Sequence, residues 1–167
     1  MQKQVFQKYM VLLAPFLLLL TIAFFESALL FSFHKSYPLV SIVFGFVFYF
    51  RIFNPDKLNL VLVFLLGVFV DFLMAYPLGF EAIAFLMGAF LVGLNREMLV
   101  HLSFMKQWLA FSLILLCVML INQLVLALFL ERGVGFLSFM WDFFGLFLCY
   151  PFIAKGTAFI NQKIGGF

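Results

Sequence analysis

Charge is what this sequence has least of: Asp, Glu, Lys and Arg supply 10% of its 167 residues, against 67% hydrophobic. Soluble domains carry about 25% charged and about 45–50% apolar residues. Too few polar side chains are present to cover a surface in water, so the composition implies a bilayer as solvent. Cysteine is scarce as well. Cys117 and Cys149 stand alone inside apolar runs, without CxxC spacing or a nearby His, which argues against a disulfide framework and leaves packed core thiols. There is no glycine-rich phosphate loop, no GxSxG, no HExxH and no internal repeat. His34 and His101 fall in loops and form no metal set or catalytic dyad. No positive sign of an enzyme is present, and no cofactor or metal is expected.

What is there is a succession of apolar runs. A spanning helix takes about 20 residues, so a chain of this length holds one polytopic domain and no separate soluble one. The runs predict an all-α integral membrane protein with six transmembrane helices at about 9–33, 37–50, 58–76, 82–94, 108–130 and 136–154. The first resembles a signal peptide, but its best cleavage candidate, Glu26-Ser27-Ala28, puts a carboxylate where a small residue is needed. An uncleaved first helix is therefore expected. Arg51, Asn54, Pro55, Asp56 and Lys57 make a polar break after the second run, and Pro77 and Gly79 a tight turn after the third.

The net charge of +3 would suggest nucleic acid in a soluble protein, but the basic residues here are scattered singly between apolar runs and read as topology signals, with no nucleic-acid partner. With six spans, Lys3, Lys8, Arg51, Lys57, Arg96, Lys106, Lys155 and Lys163 share one side, and Lys35 and Arg132 the other. The positive-inside rule then places both termini in the cytoplasm of an inner membrane. The acids divide the opposite way: Asp56 and Glu97 are inner, whereas Glu26, Asp71, Glu81, Glu131 and Asp142 are outer. Glu26, Glu81 and Asp142, close to span ends, are expected to be interfacial.

Asp71 is the most informative residue, because a carboxylate inside a spanning helix costs about 2.5–3.5 kcal/mol and faces protein or water. Gly67, Asp71 and Ala75 recur at four-residue steps along one stripe of the third helix. The fourth helix answers with Ala82, Ala84, Gly88, Ala89 and Gly93, which include two small-xxx-small pairs. A tight hairpin about Tyr76-Pro77-Leu78-Gly79 is expected, with Asp71 directed inward. Three roles stand open for Asp71: a structural polar group, a partner or assembly contact, or a substrate or proton site. The stretch Asn95 to Trp108 mixes Arg96, Glu97, His101 and Lys106 with Met98, Leu99, Leu102, Phe104 and Met105, and suits either a segment along the cytoplasmic interface or an extended end of the fourth helix.

This arrangement resembles the rod shape-determining protein MreD family, on Pro38 opening the second helix, the break at Asn54 and Pro55, Gly67-x3-Asp71, Leu78-Gly79 and Ala84. Leu39 departs from the Asp or Asn that often follows the proline in that family. The resemblance implies a non-enzymatic scaffold of bacterial cell-wall elongation that binds MreC and, through it, works with MreB, RodA and a class B penicillin-binding protein, with membrane lipid around it. On that reading the hairpin and the acidic end, with Gly67, Asp71, Leu78, Gly79, Glu81, Ala84 and Gly88, are expected to dock MreC, while Arg96 and His101 face MreB. The competing class is a substrate-binding subunit of an energy-coupling-factor vitamin importer, to which MreD proteins look similar in fold. An acidic outer end would suit a cationic vitamin, although no aromatic and polar outer-loop cluster supports such a pocket.

Overall fold

The computed structural model describes residues 15–29, 39–129 and 135–163, with side chains other than those of Phe129 and residues 159–163. Lys3, Lys8, His34, Lys35, Pro38, Glu131 and Arg132 lie outside the described residues. Every regular element described is helical: α1 Pro15–Leu29, α2 Val43–Phe53, α3 Leu60–Met74, α4 Phe80–Leu94, α5 Arg96–His101, α6 Phe104–Phe129 and α7 Phe136–Lys163. Two stretches, Phe104–Leu128 and Phe136–Ala158, are long and apolar enough to cross a membrane by themselves. The apolar helices α1 to α4 have 11–15 residues, and the 11 of α2 rise only about 16 Å at 1.5 Å each.

The element ends have local causes. The third helix stops at Met74 because Ala75 turns left-handed at φ 53°. The stripe read through Gly67 and Asp71 therefore ends before Ala75, which is exposed. Gly79, at φ 103°, opens α4 two residues before the expected start. Ahead of α2, residues 39–42 are non-helical, so the helix begins at Val43 and not near residue 37. The polar stretch after α4 contains its own short helix, α5, held to the start of α6 where Gln107 Nε2 donates to the Leu99 carbonyl (2.9 Å).

The core is built around α2, most of whose side chains are buried against its neighbours. Phe111 stacks on Tyr150 with centroids 4.2 Å apart, and Phe48 meets both edge-on at 5.1 and 5.6 Å. This aromatic cluster ties α2 to α6 and α7, edge-to-face and offset contact being the favoured ring geometries. The most extensive helix pairing is α3 with α4. It depends on Gly67, where any Cβ would lie 2.8 Å from the Ala82 backbone nitrogen. Gly88 does the same service for α2, since a Cβ there would lie 2.6 Å from Cζ of Phe44. Of the small residues of α4, Ala82, Ala84, Gly88 and Ala89 are thus covered inside the fold, and Gly93 is exposed. Cys117, expected in the core, is exposed on α6, and Cys149 is half-buried.

Pro151 sits inside α7. Having no N–H, it leaves the carbonyl four residues earlier without its helical partner. That carbonyl, on Phe147, accepts instead from the Trp108 indole N–H at 2.9 Å, and the two rings stack at 4.5 Å.

Candidate functional site

Residues 39–42 are non-helical, with Leu39, Val40 and Ser41 buried and Ile42 half-buried, and buried N–H groups need partners. Each partner comes from a different helix. The Leu39 N–H donates to Asp142 Oδ2 of α7 (3.0 Å), and the Leu39 carbonyl accepts from Asn122 Nδ2 of α6 (3.0 Å). The Ser41 N–H donates to Glu81 Oε1 of α4 (3.2 Å). The Ile42 N–H donates to Glu26 Oε1 of α1 (2.9 Å), while the Ser41 hydroxyl donates to Glu26 Oε2. Three carboxylates therefore gather at the N-terminus of α2, where the first amides of a helix lack partners and its dipole favours negative charge.

Asp71 stands one step behind. Its Oδ2 accepts from the Gly79 N–H (2.8 Å) and its Oδ1 from the Glu81 N–H (2.7 Å), so it closes the α3–α4 turn and caps α4. Glu81 is held by its backbone to Asp71 and reaches α2 with its side chain. Both residues are fully buried. Glu81 Oε2 is left without a hydrogen-bond partner among the described groups.

The far end of α2 carries the opposite charge. Arg96 Nε of α5 donates to the Ile52 carbonyl (3.0 Å), and Arg51 Nη1 donates to the Leu58 carbonyl (3.2 Å) in the loop before α3. Cations near a helix C-terminus complement its dipole. Asn59 caps α3 in turn, accepting from the Leu62 N–H (2.9 Å).

Of the residues singled out from the sequence, Asp71, Glu81, Gly79 and Gly67 come together at the α3–α4 hairpin, with Ala84 and Gly88 buried further along α4. Leu78, 75% exposed at the turn, and His101, exposed on α5, present side chains outward; Arg96 is half-buried against α2. Interior packing thus occupies five of the residues expected to dock MreC. Glu81, expected to be interfacial, is fully buried, and Glu26 and Asp142 are half-buried; all three carboxylates accept from the amides of residues 39–42. Ser41 and Asn122 went unread in the sequence, because only the fold brings residues 81 and 122 to the start of α2. A polar residue in each of two apolar runs was the available signal.

Among the described residues no group of His, Cys, Asp or Glu is arranged to hold a metal. The chemistry of this acidic hub, Glu26, Asp71, Glu81 and Asp142, is hydrogen bonding to backbone amides and to the Ser41 hydroxyl. No known protein family, curated protein or solved structure matches this chain.

Proposed function

We propose that the chain is a non-enzymatic membrane scaffold of the bacterial cell-wall elongation machinery, a protein of MreD type that binds MreC and through it joins MreB, RodA and a class B penicillin-binding protein. The observation that carries this reading is the α3–α4 hairpin. The residues of the MreD-like pattern, Gly67, Asp71 and Leu78-Gly79, form one physical unit in which glycine admits the neighbouring backbone and the aspartate closes the turn. An exterior rich in exposed Phe, Leu and Trp, such as Phe72 at 76%, Trp141 at 72% and Phe152 at 79%, supports a lipid-facing surface.

On this reading all six apolar helices lie across the inner membrane with both termini cytoplasmic. The shortness of α2 is compatible with that placement, since non-helical backbone is tolerated at membrane depth where protein buries it. The acidic end, with the α3–α4 turn, faces the periplasm, and α5 faces the cytoplasm. MreC contacts the exposed rim of the hairpin at Leu78 and not the buried acids. The vitamin-importer reading drew on carboxylates free to meet a cation, and here Glu26, Glu81 and Asp142 each accept from the backbone of residues 39–42.

Purification of the tagged chain in mild detergent from its own cells, with the co-purifying proteins identified by mass spectrometry, tests the proposal. Recovery of MreC is the expected result. Recovery of a coupling protein with paired ATPases, and no MreC, would overturn it.

A further inference from the structure

The exposed face of α4 carries a second feature, independent of the acidic hub. Leu60 of α3 and Ile83, Leu86, Met87 and Phe90 of α4 line an open groove without a polar atom in its wall. One helical turn beyond Phe90 the same face reaches Gly93, which is exposed and has no side chain. Behind Gly93 lies Arg51: a Cβ there would sit 3.2 Å from Arg51 Nη2. Arg96 comes to the same corner, its Nε donating to the carbonyl of Ile52, the residue after Arg51. The apolar groove thus ends one helical turn short of an exposed glycine with an arginine behind it.

We propose that this groove binds an anionic phospholipid, one acyl chain lying along Leu60, Met87 and Phe90 and the phosphate at Arg51 and Arg96. Charge complementarity selects that occupant. The described cations of this end are Arg51, Lys57, Arg96, Lys106 and Lys155, against Asp56 and Glu97, so an anionic headgroup meets a net positive charge that a zwitterionic one does not neutralise. A guanidinium suits phosphate because its planar fork offers parallel donors. The groove is open along its length, as a site filled sideways from the bilayer must be. This inference rests on the membrane placement proposed above, and not on MreC binding.

The test uses the full chain purified in mild detergent, supplied with equal amounts of phosphatidylglycerol and phosphatidylethanolamine, with bound lipid counted by native mass spectrometry. Retention of phosphatidylglycerol in about tenfold preference is expected, the ratio that one to two basic side chains at a headgroup supply. Gly93→Ile, which covers Arg51 from a position where only the end of a flexible side chain must give way, is expected to abolish the preference. Met87→Trp, which fills the groove and leaves the arginines untouched, is expected to lower retention of both lipids. Equal retention of the two lipids by the wild-type chain, or an unchanged preference in Gly93→Ile, would overturn the proposal. So would protection against thermal unfolding by inorganic phosphate equal to that by phosphatidylglycerol, because the groove would then contribute nothing. Capture of MreC is read separately, so either reading fails without the other.

Discussion

Asp71 is the residue on which the hairpin turns. Its two oxygens hold the amides of Gly79 and Glu81, and both bonds vanish in Asp71→Leu, leaving a buried N–H on Glu81. A loss of about 3 kcal/mol is expected from two charge-assisted bonds and one orphaned donor, seen as a lower unfolding temperature in detergent. Gly67→Ala is expected to cost about 1–3 kcal/mol, since its methyl group meets the Ala82 backbone and not a movable side chain. Gly145→Ala on α7, where nothing approaches the new methyl, is expected to be neutral or to gain up to about 1 kcal/mol from helix propensity. Ala75 offers the reverse case. Its left-handed backbone favours glycine, so Ala75→Gly is expected to raise stability by about 1 kcal/mol, checked by the same melt.

Among the elements, α2 explains the placement of Glu26, Glu81, Asp142 and Arg96. A short helix whose N-terminal approach is buried needs acceptors at that end and donors at the other, and α1, α4 and α7 bring acids while α5 brings Arg96. The α6–α7 pair shows a similar repair, with Trp108 answering the carbonyl that Pro151 leaves free. Trp108→Phe is accordingly expected to cost about 1 kcal/mol, and less in a Pro151→Ala background, where the amide of residue 151 takes over Phe147. A double-mutant cycle of melting measurements checks this; additive effects would contradict it. The helices themselves were legible as apolar runs, and the hairpin as small residues around Asp71, because those signals are local. The start of α2 and the facing of Glu26, Glu81 and Asp142 were not. They depend on bonds between residues 16 to 103 positions apart, and an acid near a span end looks the same in sequence whether it turns toward water or toward a neighbour's backbone.

For the whole molecule, the hydrogen bonds place Glu26, Asp71, Glu81 and Asp142 at the end that holds the α3–α4 turn, and Arg51 and Arg96 at the end that holds α5. The charge asymmetry read as topology is therefore also the dipole complement of α2, and under the proposed membrane placement orientation and internal stability pull in one direction. In a chain with Cys117 and Cys149 replaced by serine, Leu78→Cys is expected to react with an impermeant maleimide in intact spheroplasts, and His101→Cys only after lysis. Labelling of both from outside would refute the orientation. The central claim is that the acids serve the fold while partners meet the outside. It is tested most directly by measuring, for Asp71→Leu, the unfolding temperature and the MreC captured per folded chain in one preparation. The account predicts a lowered unfolding temperature with capture per folded chain unchanged; an unchanged unfolding temperature with capture lost would contradict it.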